Sequence, residues 1–167
     1  MDIYTIDIEN ELAVLRKKSG LVTNIDQELV DFTNQMVRSI EGIGIGLAAP
    51  QVGRNERFFV CHLDQMDPLI FINPEIIGTS EELSSYEEGC LSIPGMYGDV
   101  KRPAVIQIQA WNQKGRPFKM EADGLLATCI QHELDHLKGL LFIDYLSERK
   151  RDKLLKRYRK TLELEES

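Results

Sequence analysis

His132, Glu133, Leu134, Asp135 and His136 form an H-E-x-x-H run. On a helix, residues four apart share a face, so His132 and His136 can offer two imidazole nitrogens to one metal ion. Glu133 stands one step round, within reach of a proton on a water that such an ion acidifies. That is the minimum apparatus for hydrolysing an amide-like bond. A helix with two surface histidines would give the same letters. Yet the chain has only three histidines, His62 being the other. Leu125, Cys129, His132 and His136 also follow a helical stripe of buried-type residues, which points the pair inward.

The run lacks a third ligand. Glu88-Gly89-Cys90-Leu91-Ser92 offers Cys90, whose thiolate with two imidazoles makes a tetrahedral site with one position open for water. Gly89 lets the backbone there approach another group closely. Alone, Cys90 reads as a buried structural thiol. Cys129 competes for the role, although one turn before His132 it reads as core packing beneath the site. Gly44-Ile45-Gly46-Leu47-Ala48-Ala49-Pro50-Gln51 is glycine-rich but lacks the Gly-Lys-Ser or Gly-Lys-Thr ending of a phosphate loop. Its free backbone groups suit an extended peptide added as a strand. Gln51 is either an amide donor to a developing oxyanion or an ordinary loop residue.

A domain of modest size must position these groups. The chain has 167 residues, 43% hydrophobic and 28% charged, which predicts one globular domain over 1–167 and argues against wholesale disorder. A net charge of −7 argues against general nucleic-acid binding. Three cysteines are too few and too odd for a disulfide framework. Acidic residues near Met1 do not suit a signal peptide, and no apolar run spans a bilayer, so a soluble cytoplasmic monomer is expected.

The pattern predicts a helix over 24–41, capped by Asn24 with Gln27 at capping-box spacing, its inner stripe Leu29, Phe32, Met36 and Ile40. Strands are expected at 58–63 and 69–72, the second broken by Asn73-Pro74. Residues 105–111 and 117–122 read as a hairpin, and Asp123 as the cap of the histidine helix. A basic helix over about 147–162 closes the chain. The class is α+β, antiparallel sheets packed around a central metal-binding helix, with an N-terminal and a C-terminal helix.

The three segments together resemble peptide deformylase, whose motifs stand here as Gly44–Gln51, Glu88–Ser92 and Gln131–His136. Length, motif order and spacing fit over nearly the whole chain. Position 50 carries proline where other members have threonine. The resemblance implies removal of the N-formyl group from the formyl-methionine of nascent polypeptides, with formate released. It implies Cys90, His132 and His136 as ligands of one divalent ion, ferrous iron in cells, with zinc, nickel or cobalt able to replace it. Glu133 would carry the proton, while the Gln51 side chain and Leu91 N–H would hold the oxyanion. Substrate backbone would pair with Ile45, Gly46 and Gly89, and Ile45, Tyr86, Leu125 and Cys129 would receive the methionine side chain. An ion pair of Glu88 with Arg102 would hold the Cys90 loop, the alternative being two solvated charges. Asp135 reads as surface charge beside Lys138, with orientation of a histidine as the other possibility. In Gly95–Asp99, Tyr97 and Asp99 stand where members vary, often with a basic residue.

From 148 to 160 eight basic residues face two acidic ones. Such a run is either a solvated face or, as the resemblance implies, a dock for ribosomal RNA near the polypeptide exit. Two competing functions are a zincin-type peptidase, with its third ligand downstream, and a non-catalytic metal-stabilised binding module.

Overall fold

The computed structural model describes residues 1–166. Its elements run α1 (Glu9–Leu15), α2 (Gln27–Ile40), β1 (Gly46–Ala48), β2 (Phe58–Cys61), β3 (Leu69–Thr79), β4 (Leu83–Cys90), β5 (Ile93–Pro103), β6 (Val105–Trp111), β7 (Pro117–Asp123), α3 (Gly124–Leu137) and α4 (Glu148–Glu166). Five antiparallel strands form one sheet in the order β1-β2-β3-β6-β7, and β4 pairs with β5 as a separate hairpin. The expected α+β class is observed.

Strand alternation explains how one sheet serves two helices. Along β2, Phe58 and Val60 join Leu29, Met36 and Ile40 of α2 in one core cluster. Phe59 and Cys61 turn the other way, joining Phe71, Ile106 and Ile108 against Ile130, Leu134 and Leu137 of α3. A fully buried strand reads as an unbroken apolar run, and Phe58–Cys61 is one. A third cluster joins Ile93, Met96 and Val100 of β5 to Leu154 and Tyr158, which seats α4 on the hairpin. The Tyr158 hydroxyl donates to Asp7 at 2.7 Å.

Several boundaries differ from expectation. Helix α2 starts at Gln27 because Asp26 accepts from the Leu29 N–H at 3.0 Å; Asn24 only donates to Asp26. Strand β3 runs through Asn73-Pro74 instead of breaking. A shift in pairing between Ile72 and Glu75 absorbs the proline, and Asn73 takes φ 50° at that point. Asp123 occupies the cap position of α3 but makes no side-chain cap bond. Helix α1, strand β1 and the β4–β5 hairpin carry weak patterns, and the hairpin's charges, glycines and prolines conceal its length.

The Asn73 side chain answers both backbone groups of Val22, donating to its C=O and accepting from its N–H, each at 2.9 Å. Asn73→Ala strands both groups and should cost about 1–3 kcal/mol, read as a lower midpoint in denaturant.

Candidate active site

Helix α3 crosses the sheet with its histidine face toward the tip of the β4–β5 hairpin. The tip is tight: Cys90 pairs with Ile93, leaving Leu91 and Ser92 as the turn, with an irregularity between Gly89 and Cys90. That turn delivers Cys90 to the helix, its Sγ 3.4 Å from His136 Nε2. One donor atom each from Cys90, His132 and His136 lies within 4.8 Å of the others. Thiolate and imidazole donors suit zinc, iron, cobalt or nickel. Two buried atoms, Glu133 Oε1 and His136 Nδ1, have no partner among the described residues. The donor set therefore fits a divalent ion.

A buried charge network fixes this geometry. Glu88, Arg102 and Asp135 are only 5%, 4% and 7% exposed. Arg102 grips both Glu88 oxygens, at 2.7 and 3.0 Å, and donates to Asp135 at 2.8 Å. Glu88 Oε1 lies 2.8 Å from His132 Nδ1, which leaves Nε2 of that ring facing the site. Tyr145 donates to Asp135 at 2.7 Å, and its ring lies 4.7 Å from the Arg102 guanidinium. The expected Glu88–Arg102 pair is thus present and dry. Asp135 is neither surface charge nor the orienter of a histidine, because its carboxylate is directed to Arg102 and Tyr145. No sequence signal marked Tyr145.

Burial shapes the ionisation of the site. It pushes Glu133 up to about 7, an effect His132 and Arg102 oppose and Glu88 and Asp135 reinforce. Burial also opposes charge on His132, but Glu133, Cys90 and Glu88 outweigh it and raise its pKa well above the usual value. His136 is held well below that value by burial and by His132. Burial likewise disfavours the Glu88 carboxylate, yet the bonds from His132 and Arg102 lower its pKa.

The glycine-rich segment reaches the site as an edge strand. Ile45 C=O accepts from His62 N–H at 2.7 Å, so strand alternation turns the peptide groups of Gly46 to the free edge. The Ile45 C=O is thus already committed within the sheet. A Cβ on Gly46 would collide with the Glu133 carboxylate and lie 2.8 Å from Cys129 Sγ. Glycine is what allows this edge to lie against Glu133. Gln51, 1% exposed, is held at both ends of its amide. Its Oε1 accepts from Ala48 N–H at 2.9 Å, while Nε2 donates to Ser92 Oγ at 3.1 Å and lies 3.5 Å from Cys90 Sγ. Ser92 was not foreseen, although it closes the cysteine motif.

Gly46, Gln51, Gly89, Cys90, Leu91, His132 and Glu133 line one cleft of about 350 Å³, with Ile45, Leu125 and Cys129 on its apolar part. Ile45 and Leu125 are 38% and 45% exposed, as rim residues are. Of the expected residues, His136 lies behind the lining within the donor cluster, and Tyr86 stands apart from the cleft. It shares the Glu88 face of β4 but lies two residues, roughly 7 Å, further along, with its hydroxyl near Gly124. Tyr97 instead covers Gly89, its ring carbons 2.6 and 2.7 Å from where a Cβ would stand.

A dry H-E-x-x-H helix, a cysteine from a crossing hairpin and an edge strand on an apolar cleft define a class of amide hydrolase. Known proteins narrow the class. The family model for polypeptide deformylase matches residues 3–152. The peptide deformylase of Borreliella burgdorferi is 49% identical over 148 residues, 87% of this chain and 89% of that protein. That of Agrobacterium fabrum is 45% identical over 152 residues, 88% of this chain and 89% of that one. Among solved structures, peptide deformylase from Ehrlichia chaffeensis superposes with a TM-score of 0.91 at 32% identity, covering 100% of this chain and 99% of that one. The Synechococcus elongatus enzyme in complex with actinonin gives 0.87 at 42% identity, covering 94% and 86%. The chain belongs to the polypeptide deformylase family, and with it to the hydrolases; a zincin-type peptidase and a non-catalytic module are set aside.

Arg102→Met should destabilise the fold by about 3–5 kcal/mol, since it leaves Glu88 and Asp135 buried without their cation. Denaturant titration measures the loss, and replacement of an exposed arginine such as Arg38 is the control.

Proposed function

We propose that this chain, as one catalytic domain over 1–167, removes the N-formyl group from formyl-methionyl N-termini of nascent polypeptides and releases formate. Cys90, His132 and His136 would hold one divalent ion, ferrous iron in cells, with zinc, nickel or cobalt as substitutes. When bound, the ion supplies Lewis acidity, making an attacking water more acidic and polarising the formyl carbonyl. The observation that carries the reading is the contact of Gly46 with Glu133. A substrate paired with the free edge of β1 places its N-terminal amide beside the one carboxylate able to move a proton.

Glu133 takes the proton of the attacking water and returns it to the departing amine. The Gln51 amide, pinned by Ala48 and Ser92, donates to the developing oxyanion together with the Leu91 N–H. The Ile45 N–H, the peptide groups of Gly46 and the Gly89 backbone align the substrate strand. Ile45, Leu125 and Cys129 receive the methionine side chain, a thioether that adapts to irregular apolar walls. Met96 replaces Tyr86 in that group, since it lines the same cleft.

The test is formate release from a formyl-Met dipeptide by anaerobically purified protein, with metal measured on the same sample. Glu133→Ala should keep its metal and lose at least about 100-fold in rate. Cys90→Ser should lose metal, and Cys129→Ser should retain it. Cleavage of internal peptide bonds with no formate release would overturn the reading.

Helix α4 is proposed to dock on ribosomal RNA. Its apolar side is occupied by the hairpin, while Arg149, Lys150, Lys153, Lys156, Arg157, Arg159 and Lys160 are exposed. No helix among the described residues is long and apolar enough to cross a membrane. Co-sedimentation with ribosomes should weaken steeply with salt, and K153E/K156E/R157E should abolish it while formate release persists. Salt-independent binding would exclude this mode.

A further inference from the structure

Two thiols outside the proposed donor set meet beneath the cleft. Cys61 ends β2, and Cys129 stands on α3 one turn before His132. Their Sγ atoms are 3.1 Å apart across 68 residues of chain. Both are free, and their residues are 1% and 3% exposed. They differ in access: Cys129 lines the cleft and Cys61 does not. A disulfide sets the sulfurs roughly 2.0 Å apart, so closure needs a movement of about 1 Å, shared between a strand end and a helix.

We propose that Cys61 and Cys129 form a reversible oxidation site, in which a peroxide entering the cleft converts the pair to a disulfide that ties α3 to β2 and reshapes the cleft floor. The Cys129 sulfur attacks one peroxide oxygen; the O–O bond breaks, one water leaves and Cys129 becomes a sulfenic acid. The Cys61 sulfur then attacks that sulfur. The S–O bond breaks, and the departing hydroxide takes the Cys61 proton and leaves as a second water. Two thiols have lost two protons and two electrons, and one peroxide has become two waters.

The bond would act on the cleft through two contacts. Cys129 Sγ lies 3.6 Å from the Ile45 C=O and against Gly46. Oxidation removes its S–H and draws the sulfur toward β2, away from the edge strand. This consequence rests on the cleft being the formyl-methionine site; formation of the bond does not.

Protein loaded with zinc, which is not redox-active, is treated with hydrogen peroxide, and its peptides are mapped without reduction. The expected product links the peptides bearing Cys61 and Cys129, has lost two hydrogens, and is reversed by dithiothreitol. Its melting temperature should rise by about 5 °C or more, since the link closes a long loop. KM for a formyl-Met dipeptide should rise at least twofold, while kcat falls less. Cys61→Ala, or Cys61→Ser should the alanine protein fold poorly, should match the untreated protein in formate release and give no linked peptide. Oxidation at Cys90 with Cys61 and Cys129 still alkylatable overturns the proposal. A linked protein with unchanged KM overturns the reshaping of the cleft. Absence of formate release from untreated protein counts against the function proposed above and leaves the mapping result intact.

Discussion

Arg102 is the charge on which the site depends. It stands in a dry space between the hairpin and α3, holding Glu88 from one side and Asp135 from the other. Two carboxylates so deep would repel each other without it. With it, Glu88 stays ionised and directs the ring of His132, and Asp135 fastens the C-terminal half of α3 to the hairpin through Arg102 and to the turn after the helix through Tyr145. The hairpin carries Cys90 and the helix carries both histidines, so one guanidinium sets the relative position of all three donors. Arginine suits the place: its planar fork grips Glu88 with two donors while a third reaches Asp135, which a lysine could not reproduce.

The rest of the fold supplies rigid walls for that arrangement. β2, buried on both faces, fixes the distance between α2 and α3, and β1 rides on it as the outer strand. Ser92 and Ala48 hold Gln51 from opposite ends, so its amide does not rotate as a surface glutamine would. Gly46 removes the one Cβ that would push Glu133 away. Each of these is a restriction on movement; the groups that take part in chemistry are few, and most of the surrounding residues hold them still.

Much of this could be read from the letters. H-E-x-x-H reports two donors on a helix face because helical period is local, and Phe58–Cys61 and Val105–Trp111 show their strands for the same reason. The Cys90 and Gln51 segments gained meaning only jointly, as motifs in a fixed order. What escaped reading depends on long-range placement. Asp135 looks like surface charge beside Lys138 until the fold brings Arg102 over it, and nothing adjacent to Tyr145 announces that its hydroxyl is committed. Tyr86 lies on the expected face but too far along it, because a strand's faces are legible and its reach is not. Asn73-Pro74 looks like a break, yet one shift in pairing let β3 continue. The β4–β5 hairpin, the element that carries Cys90, has the faintest pattern of all.

The exposed edge of β1 has a consequence for timing. An edge strand engages its partner through backbone N–H and C=O groups, and a partner can offer these only while it is extended and its own groups are free. A chain whose first residues have entered a helix, or paired within a sheet, presents nothing to Gly46 whatever its sequence. On the proposed pairing of substrate with β1, the cleft would discriminate by conformation as well as by chemistry. On that reading, the interval in which a newly made protein can be deformylated would close when its own N-terminus folds.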